Sequence, residues 1–553
     1  MCGIWLLTGP CLEQIVNPNL HIASLKGRGP EGTRRVDLSG NVILGFTRLA
    51  INGLNEAGMQ PMTNGRFHWM CNGEIYNWRK LADDYGISVE SGSDCEVLGE
   101  LYTKFAETPA AFFRMLDGVF SIAIVDTLLQ TVTLARDPYG VRPLYFAQRM
   151  SIRYGSTPTS QEVYICGIAA GSELKSLVTL TQAIHHFPPG HYSTYKYTGE
   201  LVKKEQYHTI PFLKNPLYSR EGSLEMACQA VRTALESAVK KRMMMERPVA
   251  ALLSGGVDSS LIASLVAKEL RENGKEPLKT FSIGMAGSSD LAHARKVADW
   301  IGSDHHEIVL KPQDFFSVIP TVINAIESYD TTTVRASVGN WLVAREVARR
   351  SDCKVVFNGD GSDEIFGSYL YFNNAPSDSA YEEEVTRLLH EIHHFDVLRS
   401  DRSISSHGLE PRTPFLDKQF VAVARSVCTE WLRPIRGEKP EKWLLRRAFD
   451  DGVTLPHEVL WRRKEAFSDG VSGEKSWYEI VQEKVEEYVP DNFSERAAFA
   501  YTYLTPTTKE QYYYRYHFEA LFGKFASQLA IPHFWMPRWT TATDPSARTL
   551  DIY

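Results

Sequence analysis

Val249-Ala-Ala-Leu-Leu-Ser-Gly-Gly-Val-Asp-Ser-Ser260 is the stretch that decides the fold of the C-terminal part of this chain. An apolar run at residues 249–253 leads into a glycine turn, and a helical pattern at residues 259–271 follows. The same order returns with an apolar run at residues 278–283 and a helix that continues through Trp300. Strands that alternate with helices form a parallel sheet with crossover helices. The sequence therefore predicts a parallel α/β domain.

The glycine turn within this stretch has the composition of a phosphate-binding loop. Its two glycines let backbone N–H groups approach an anion, its serines add hydroxyl donors, and the helix N-terminus contributes positive partial charge. The loop lacks the lysine of a Walker A motif, and Asp258 would repel phosphate unless magnesium lay between them. A purely structural turn would explain the glycines but not Asp258 and the serines. We therefore expect a pyrophosphate site here.

A second glycine turn, Asn358-Gly-Asp-Gly-Ser-Asp-Glu364, follows an apolar run at residues 354–357. The carboxyl ends of strands are where open parallel sheets bind ligands. By itself this turn could equally be a solvated loop, but paired with residues 254–260 it indicates contacts to a metal ion and a nucleotide. From residue 378 onward the pattern is mainly helical.

The N-terminal part of the chain is rich in strands. Short apolar runs between turn residues occur at residues 4–7, 42–51, 67–71, 119–125, 131–135 and 163–168. A capped helix is predicted at residues 95–105, and an amphipathic helix at residues 224–245. The proline-containing segment at residues 207–221 separates the two patterns. We therefore expect one domain over residues 1–210 and a second over residues 211–553.

The chain starts Met1-Cys2-Gly3-Ile4, so removal of the initiator methionine would leave a cysteine with a free α-amine. An α-amine titrates near ~8 and a thiol near ~8.5, so the amine can accept the thiol proton at neutral pH. One residue then supplies both nucleophile and base. The alternative is that Cys2 is a small apolar residue near the start by accident.

Composition excludes several classes of protein. The chain has 553 residues and a formal net charge of −7 with mixed signs along its length, which argues against nucleic acid as a partner. No apolar run approaches the length of a membrane span, and no signal peptide is recognised. The eight cysteines are scattered, so we expect reduced thiols and a cytoplasmic location.

His390-Glu-Ile-His-His394 formally matches the zinc protease motif His-Glu-x-x-His. That motif needs a third ligand and an open cleft. Nothing nearby in the sequence supplies them, so we expect no zinc site.

Both halves together resemble the glutamine-dependent asparagine synthetases. The motifs that carry the resemblance lie at residues 1–4, 28–32 (RGPEG), 48–51, 72–77 (NGEIYN), 93–94, 137–144 (DPYGVRPL), 254–260, 332–337 (TTVRAS), 359–366, 413–418 (TPFLDK), 464–471 (KEAFSDGV) and 505–510 (TPTTKE). The N-terminal motifs alone would fit any class II amidotransferase. Together with the phosphate loop they become specific.

For the N-terminal domain the resemblance implies the αββα sandwich of N-terminal nucleophile hydrolases. Cys2 would attack the side-chain amide of glutamine to give a thioester and ammonia, and Asn72 with the N–H of Gly73 would form the oxyanion hole. Arg48 would pair with the α-carboxylate of glutamine, and Asp94 with Glu74 would hold its α-ammonium. The remaining implied glutamine-binding residues are Leu49, Ala50, Ile51 and Asn52.

For the C-terminal domain the resemblance implies a PP-loop ATP pyrophosphatase, in which ATP adenylylates the β-carboxylate of aspartate and ammonia displaces AMP. The implied ATP-binding residues are Leu252, Ser254, Gly255, Gly256, Asp258, Ser259, Ser260, Ile283, Asn358 and Gly359. Asp258 and Asp363 would hold Mg²⁺, and Lys464 would face the transferred phosphoryl group. Thr332, Thr333 and Arg335 are candidate aspartate contacts. The family also suggests a homodimer.

One departure from the family pattern concerns the base. Asp360 stands where the family has a glutamate thought to accept a proton from ammonia, and its carboxylate would be ~1.5 Å further away. Asp360 is therefore predicted to be a working but altered base.

Three alternatives remain open. Another class II amidotransferase would have no use for residues 254–260, and a β-lactam synthetase would dispense with Cys2. A nucleotide-binding regulatory paralogue would form no AMP from ATP, aspartate and ammonia.

Overall fold

The computed structural model describes residues 1–10, 17–39, 41–154, 161–181, 183–211, 216–219, 222–465 and 467–546. The chain forms two compact units. Unit 1 comprises residues 1–209, 405–408 and 522–530, and unit 2 comprises residues 210–404, 409–521 and 531–553.

Unit 1 contains two six-stranded antiparallel sheets. The first has the order β10-β8-β9-β1-β3-β2 and the second the order β12-β11-β7-β6-β5-β4. Their strands are β1 (Gly3–Thr8), β2 (Gly32–Leu38), β3 (Val42–Arg48), β4 (Met62–Thr63), β5 (Phe67–Ile75), β6 (Gly118–Asp126), β7 (Thr131–Arg136), β8 (Tyr145–Tyr154), β9 (Gln161–Gly171), β10 (His185–His186), β11 (His191–Lys196) and β12 (Leu201–Gln206). Every residue of β1 is buried because this strand is central in its sheet.

The two sheets face each other across an apolar core. Ile4 and Leu6 of the first sheet belong to one buried cluster with Met70 and Ala123 of the second. A second cluster joins the outer face of the second sheet to helices, and α1 packs on the first sheet. The helices of unit 1 between residues 1 and 209 are α1 (Pro18–Ala23), α2 (Trp78–Tyr85), α3 (Val97–Phe105) and α4 (Pro109–Met115). The predicted αββα arrangement is confirmed.

Unit 2 is built on a parallel sheet with the order β15-β14-β13-β16-β17. Its strands are β13 (Val249–Leu252), β14 (Lys279–Gly284), β15 (Asp304–Val309), β16 (Val355–Phe357) and β17 (Glu410–Arg412). β13 pairs with β14 on one side and with β16 on the other, so the chain order reverses at β13. A crevice opens at the carboxyl ends of strands at such a reversal. The predicted parallel α/β domain is confirmed.

The described helices from residue 224 onward are α5 (Leu224–Lys241), α6 (Val257–Glu272), α7 (Ser289–Ile301), α8 (Pro312–Ser317), α9 (Ile319–Ile326), α10 (Thr331–Arg350), α11 (Ser362–Ile365), α12 (Asp378–Glu391), α13 (Asp396–Ser405), α14 (Lys418–Ala424), α15 (Thr429–Leu432), α16 (Trp443–Ala448), α17 (His457–Leu460), α18 (Phe467–Gly470), α19 (Trp477–Tyr488), α20 (Phe493–Ala500) and α21 (Lys509–Ala530). Helices α6, α7 and α10 contact strands of the parallel sheet. The last residue of α13 and residues 522–530 of α21 belong to unit 1. None of the helices within the described ranges combines the length and apolar character needed to cross a bilayer.

The structure corrects several predicted elements. β5 continues to Ile75, beyond the predicted apolar run at residues 67–71, so Asn72 and Gly73 lie inside this strand. The helix predicted at residues 224–245 ends at Lys241. Strands β2 and β12 were not predicted because they are edge strands with many exposed charged side chains, which obscure the apolar alternation.

Asp137 organises the tight turn after β7. Its two carboxylate oxygens accept hydrogen bonds from the backbone N–H groups of Tyr139 (3.1 Å), Val141 (2.9 Å), Arg142 (2.9 Å) and Phe120 (3.3 Å). Asp137 is fully buried, so water cannot replace its carboxylate as the hydrogen-bond acceptor for these four N–H groups. Replacing a buried acceptor leaves its donors unsatisfied.

We expect Asp137→Asn to destabilise unit 1 by about 3 kcal/mol, because the amide N–H₂ group would face two N–H donors that each lose a charge-assisted bond. Differential scanning calorimetry of the full chain should show a lowered transition. Asp84→Asn is the control, since Asp84 forms a solvent-exposed pair with Lys80. Equal transitions for the two variants would contradict this role of Asp137.

Candidate active sites

In unit 1, the two facing sheets bring the N-terminal cysteine to the middle of β5. The backbone N–H of Cys2 donates to Asn72 Oδ1 at 3.1 Å, and Cys2 Sγ lies 3.7 Å from the carbonyl oxygen of Leu49. Arg28 Nε donates to the carbonyl oxygen of Cys2 at 3.0 Å and so holds the start of β1 from the other side. The thiol is half-buried.

Asn72, whose Oδ1 contacts Cys2, also carries an amide N–H₂ donor, and Gly73 follows it in β5. Asn72 is fully buried, and its Nδ2 has no hydrogen-bond partner among the described residues. Gly73 pairs with Phe120 of β6, and a Cβ atom on Gly73 would lie 2.0 Å from the carbonyl oxygen of Val119. Only glycine at position 73 therefore allows β5 to approach β6 this closely. The same strand places Asn72 beside Cys2. An unpartnered buried amide donor is suited to a developing oxyanion.

The other residues predicted to bind glutamine lie in the loops around Cys2. Arg48 donates to the carbonyl oxygens of Asn55 (2.7 Å) and Gly53 (2.5 Å), so its guanidinium holds the loop after β3. Leu49, Ala50 and Ile51 are buried in that loop.

Two acidic side chains that are predicted to bind glutamine, Glu74 and Asp94, form hydrogen bonds within unit 1. Asn52 Nδ2 donates to Glu74 Oε2 at 2.7 Å, and Asp94 Oδ2 accepts from the backbone N–H of Ile75 at 2.6 Å. Glu31, for which the sequence predicted no role, accepts the N–H of Ala50 at 2.8 Å and joins the two loops. Glu31 lies within the RGPEG motif, which was the signal available in the sequence.

In unit 2, a cavity of about 430 Å³ lies at the carboxyl ends of the parallel strands. The predicted site residues that line it are Leu252, Ser254, Gly256, Asp258, Ser259, Ile283, Thr332, Thr333, Arg335, Asn358, Gly359, Asp360, Asp363 and Lys464. Two predicted ATP-binding residues, Gly255 and Ser260, are buried outside its lining. The fold therefore gathers almost the whole predicted set from five separate stretches of chain.

The two glycine turns pack directly against each other. A Cβ atom on Gly359 would lie 2.7 Å from the backbone nitrogen of Ser259 and 2.8 Å from Asp258 Cβ, so this approach requires glycine. Within the first turn, the hydroxyls of Ser254 and Ser259 are 2.9 Å apart. The loop is thus closed on itself at the N-terminus of α6, where backbone N–H groups favour an anion.

A buried lysine joins the acidic residues of the two turns. Lys442 Nζ lies 2.5 Å from Asp258 Oδ2 and 2.6 Å from Asp363 Oδ1, and its side chain is 2% exposed. Lys464 also pairs with Asp363. Burial by itself would raise the pKa of Asp363, but the two ammonium groups hold that pKa well below its usual range. Sequence reasoning missed Lys442, because a lysine in a charged, polar stretch has no distinguishing local signal.

The donor set fits a divalent cation. Asp258 Oδ1 is buried without a hydrogen-bond partner among the described residues, and Asp363 stays ionised. Carboxylate oxygens are the ligands that Mg²⁺ prefers.

Asp360 lies in the same cavity with one oxygen unpaired. Its Oδ1 is 3.3 Å from Arg399 Nη2, whereas its Oδ2 is buried and has no partner in the described part of the chain. Burial and the nearby carboxylate of Asp396 raise the pKa of Asp360 to about 6, against the opposing charge of Arg399. A carboxylate that has an oxygen without a hydrogen-bond partner and a pKa near neutrality is suited to accept a proton.

Of the three predicted aspartate contacts, one has a side chain ready to bind a ligand. Thr332 Oγ1 is buried without a partner among the described residues. Thr333 Oγ1 donates to Asp330 at 2.7 Å as part of a helix cap. Arg335 is engaged by Glu510 and a second carboxylate, as described below.

The histidine-rich stretch does not form a zinc protease helix. α12 ends at Glu391, so His390 and His394 do not share one continuous helix, as the motif requires.

Comparison with known proteins gives two family matches. The family model described as glutamine amidotransferase domain matches residues 1–208, and that described as asparagine synthase matches residues 230–386 and 373–543. The chain is 42% identical over 574 residues to an asparagine synthetase [glutamine-hydrolyzing] of Gallus gallus, and 41% identical over 581 residues to that of Homo sapiens. Each match covers 100% of this chain and 99% of the relative. The chain therefore belongs to the asparagine synthase family and carries a glutamine amidotransferase domain at its N-terminal side.

Proposed function

We propose that this protein is a glutamine-hydrolysing asparagine synthetase, a ligase that uses ATP, aspartate and glutamine. The observation that carries the proposal is the placement of Cys2 against Asn72 in a chain that also has the cavity lined by residues 254–259 and 358–363. The full-length similarity to relatives of that name supports it. We assign the glutaminase to residues 1–210 and the synthetase to residues 211–553.

In the glutaminase, removal of Met1 would free the α-amine of Cys2 to accept the thiol proton. The thiolate attacks the side-chain carbonyl carbon of glutamine, and the oxyanion is stabilised by Asn72 Nδ2 and the N–H of Gly73. The α-ammonium group of Cys2 then protonates the amide nitrogen of this intermediate, the C–N bond breaks, and ammonia leaves with formation of the thioester. Water then hydrolyses the thioester to glutamate.

In the synthetase, the β-carboxylate of aspartate attacks the α-phosphorus of ATP, and pyrophosphate leaves. Lys442 and Lys464 offset the negative charge that gathers beside Asp363. Mg²⁺ held by Asp258 and Asp363 would supply further charge neutralisation for the triphosphate and pyrophosphate. Ammonia then attacks the β-carbonyl of β-aspartyl-AMP, Asp360 accepts a proton, and AMP leaves to give asparagine.

The wider setting follows from the sequence. We propose a cytoplasmic homodimer: the family suggests the dimer, and the scattered cysteines favour a reducing compartment. The net charge of −7 with mixed signs argues against nucleic acid as a partner, and no apolar run is long enough to favour a membrane.

The decisive experiment compares two nitrogen donors. Cys2→Ala should abolish asparagine formation from glutamine and leave formation from ammonium within about twofold of the unmodified protein, because the sulfur acts only in the glutaminase. N-terminal sequencing should show that Met1 is absent. Failure of the unmodified protein to form AMP and asparagine from ATP, aspartate and ammonium would refute the function.

Asn72→Ala should lower kcat for glutamine hydrolysis by about 10²- to 10³-fold, because one oxyanion donor is lost. Glutamate release is the measurement. Asn64→Ala serves as the matched control, since Asn64 bonds Glu100 and Thr103 in an exposed position. A loss for Asn72→Ala no greater than that of the control would argue against an oxyanion role.

Protonation of Asp360 should determine how the rate of ammonia-dependent synthesis falls at acidic pH. A carboxylate accepts protons only when ionised, so the rate at fixed free ammonia should fall as the pH drops through about 6. Asp360→Glu should retain or raise the rate, whereas Asp360→Asn should lower it at least about 10²-fold. ATP–pyrophosphate exchange dependent on aspartate should persist in both variants. Full synthesis by Asp360→Asn would exclude this base.

A further inference from the structure

The last described stretch of the chain, residues 535–546, forms part of the wall of the synthetase cavity. Trp535, Pro537, Pro545 and Ser546 all line it. This stretch, which we call the tail segment, lies far in sequence from the two glycine turns. It meets the first turns of α10, whose residues Thr332 and Thr333 line the same cavity.

Asp330 makes the first hydrogen-bonded connection between the tail segment and α10. This fully buried residue is the N-cap of α10, and its Oδ2 accepts from Thr333 N at 2.8 Å and from Thr333 Oγ1 at 2.7 Å. Its Oδ1 accepts the backbone N–H of Trp535 at 2.8 Å. One carboxylate therefore caps the helix and positions the start of the tail segment.

Arg335 of α10 makes the second connection, through salt bridges to two carboxylates. Its Nε and Nη2 lie 3.1 and 2.6 Å from the two oxygens of Glu510, and its Nη1 and Nη2 lie 3.2 and 3.1 Å from those of Asp544. Both pairings are bidentate, the strongest geometry for these groups. Asp544 Oδ1 also accepts the N–H of Ser546 at 2.7 Å, which fixes the backbone that reaches the cavity.

The rest of the environment holds this arrangement in place. Glu510 is fully buried and accepts from Gln482 Nε2 at 2.5 Å and from Tyr514 OH at 2.7 Å. The Arg335 guanidinium lies 4.9 Å from the ring centre of Tyr478. All three guanidinium nitrogens of Arg335 are thus occupied within the protein, and its side chain is only 7% exposed. A direct salt bridge from Arg335 to a substrate would require breaking a buried pair.

We propose that the tail segment forms one wall of the aspartate subsite and that Asp544, acting through Arg335, is the positioning residue for that wall. This inference rests on the proposed function. The described residues of the wall shared by α10 and the tail segment include no glycine turn, and Arg335 next to this wall is held by Glu510 and Asp544. Thr332 Oγ1 is an unpartnered buried hydroxyl of this wall, suited to a small polar acid. The ligand is an α-amino dicarboxylic acid.

The two roles of Arg335 predict opposite results for Asp544→Asn. If Arg335 contacted aspartate directly, weakening its bond to Asp544 would free it for substrate, and KM for aspartate would fall or stay the same. If Asp544 positions the wall, KM for aspartate should rise about tenfold or more, because a displaced wall misplaces the bound acid. KM for ATP should remain within about threefold, and glutamine hydrolysis should not change.

The experiment measures ammonia-dependent AMP formation by the full chain against aspartate and ATP concentration. Asp544→Glu keeps the charge and should recover at least part of the affinity for aspartate. Glu382→Gln is the matched control, because Glu382 pairs with the buried Arg425 at 2.7 Å and neither residue lines the cavity. The control should leave both KM values unchanged.

A second variant keeps the test decisive if Asp544→Asn fails to fold. Ser546→Leu retains the backbone N–H that Asp544 accepts and adds bulk to the proposed wall, so it should raise KM for aspartate about tenfold with KM for ATP within about threefold. An unchanged or lowered KM for aspartate in either folded variant, or an equal rise in both KM values, would overturn the inference. Loss of AMP formation in the unmodified protein would instead refute the proposed function.

Discussion

The synthetase cavity depends on balancing buried carboxylates with buried cations. Asp258 and Asp363 lie close enough to share Lys442 at 2.5 and 2.6 Å, and Lys464 approaches Asp363 as well. Carboxylates this close repel each other strongly in a low dielectric unless cations lie beside them. The lysines keep Asp363 ionised, so the two glycine turns can pack against each other with both acids in place. A site that must also receive a polyphosphate needs this balance before the nucleotide arrives.

The same balance of charges gives Asp360 a different protonation behaviour from that of Asp363. Arg399 contacts only one of its oxygens, and burial together with Asp396 keeps the pKa of Asp360 near 6. Two carboxylates in one turn thus have different protonation behaviour, because Asp363 has two ammonium partners and Asp360 shares one guanidinium. This difference agrees with the metal-binding role proposed for Asp363 and the proton-accepting role proposed for Asp360.

In unit 1 the decisive constraint is steric. Cys2 precedes a fully buried central strand of one sheet, and Asn72 lies within a strand of the facing sheet. Their contact at 3.1 Å depends on Gly73, where any side chain would collide with β6. The residue type at position 73 therefore decides whether Asn72 can lie against Cys2.

The sequence by itself determined the two kinds of sheet and the two glycine turns that line the cavity, because strand periodicity and strand-turn-helix motifs are local patterns. Other lining residues, such as Thr332 and Lys464, were indicated only by the resemblance to a family. The start of the chain also indicated Cys2 and the resemblance indicated Asn72, although the predicted run ended at residue 71, before Asn72. Only the tertiary structure decided the partners of these residues. Lys442 and Asp258 are 184 positions apart in the sequence, and Asp544 and Arg335 are 209 positions apart, so no local sequence pattern could predict either pair. Arg335 was predicted to contact substrate, yet its guanidinium holds two buried carboxylates, because the charges that surround a side chain are set by packing between distant segments.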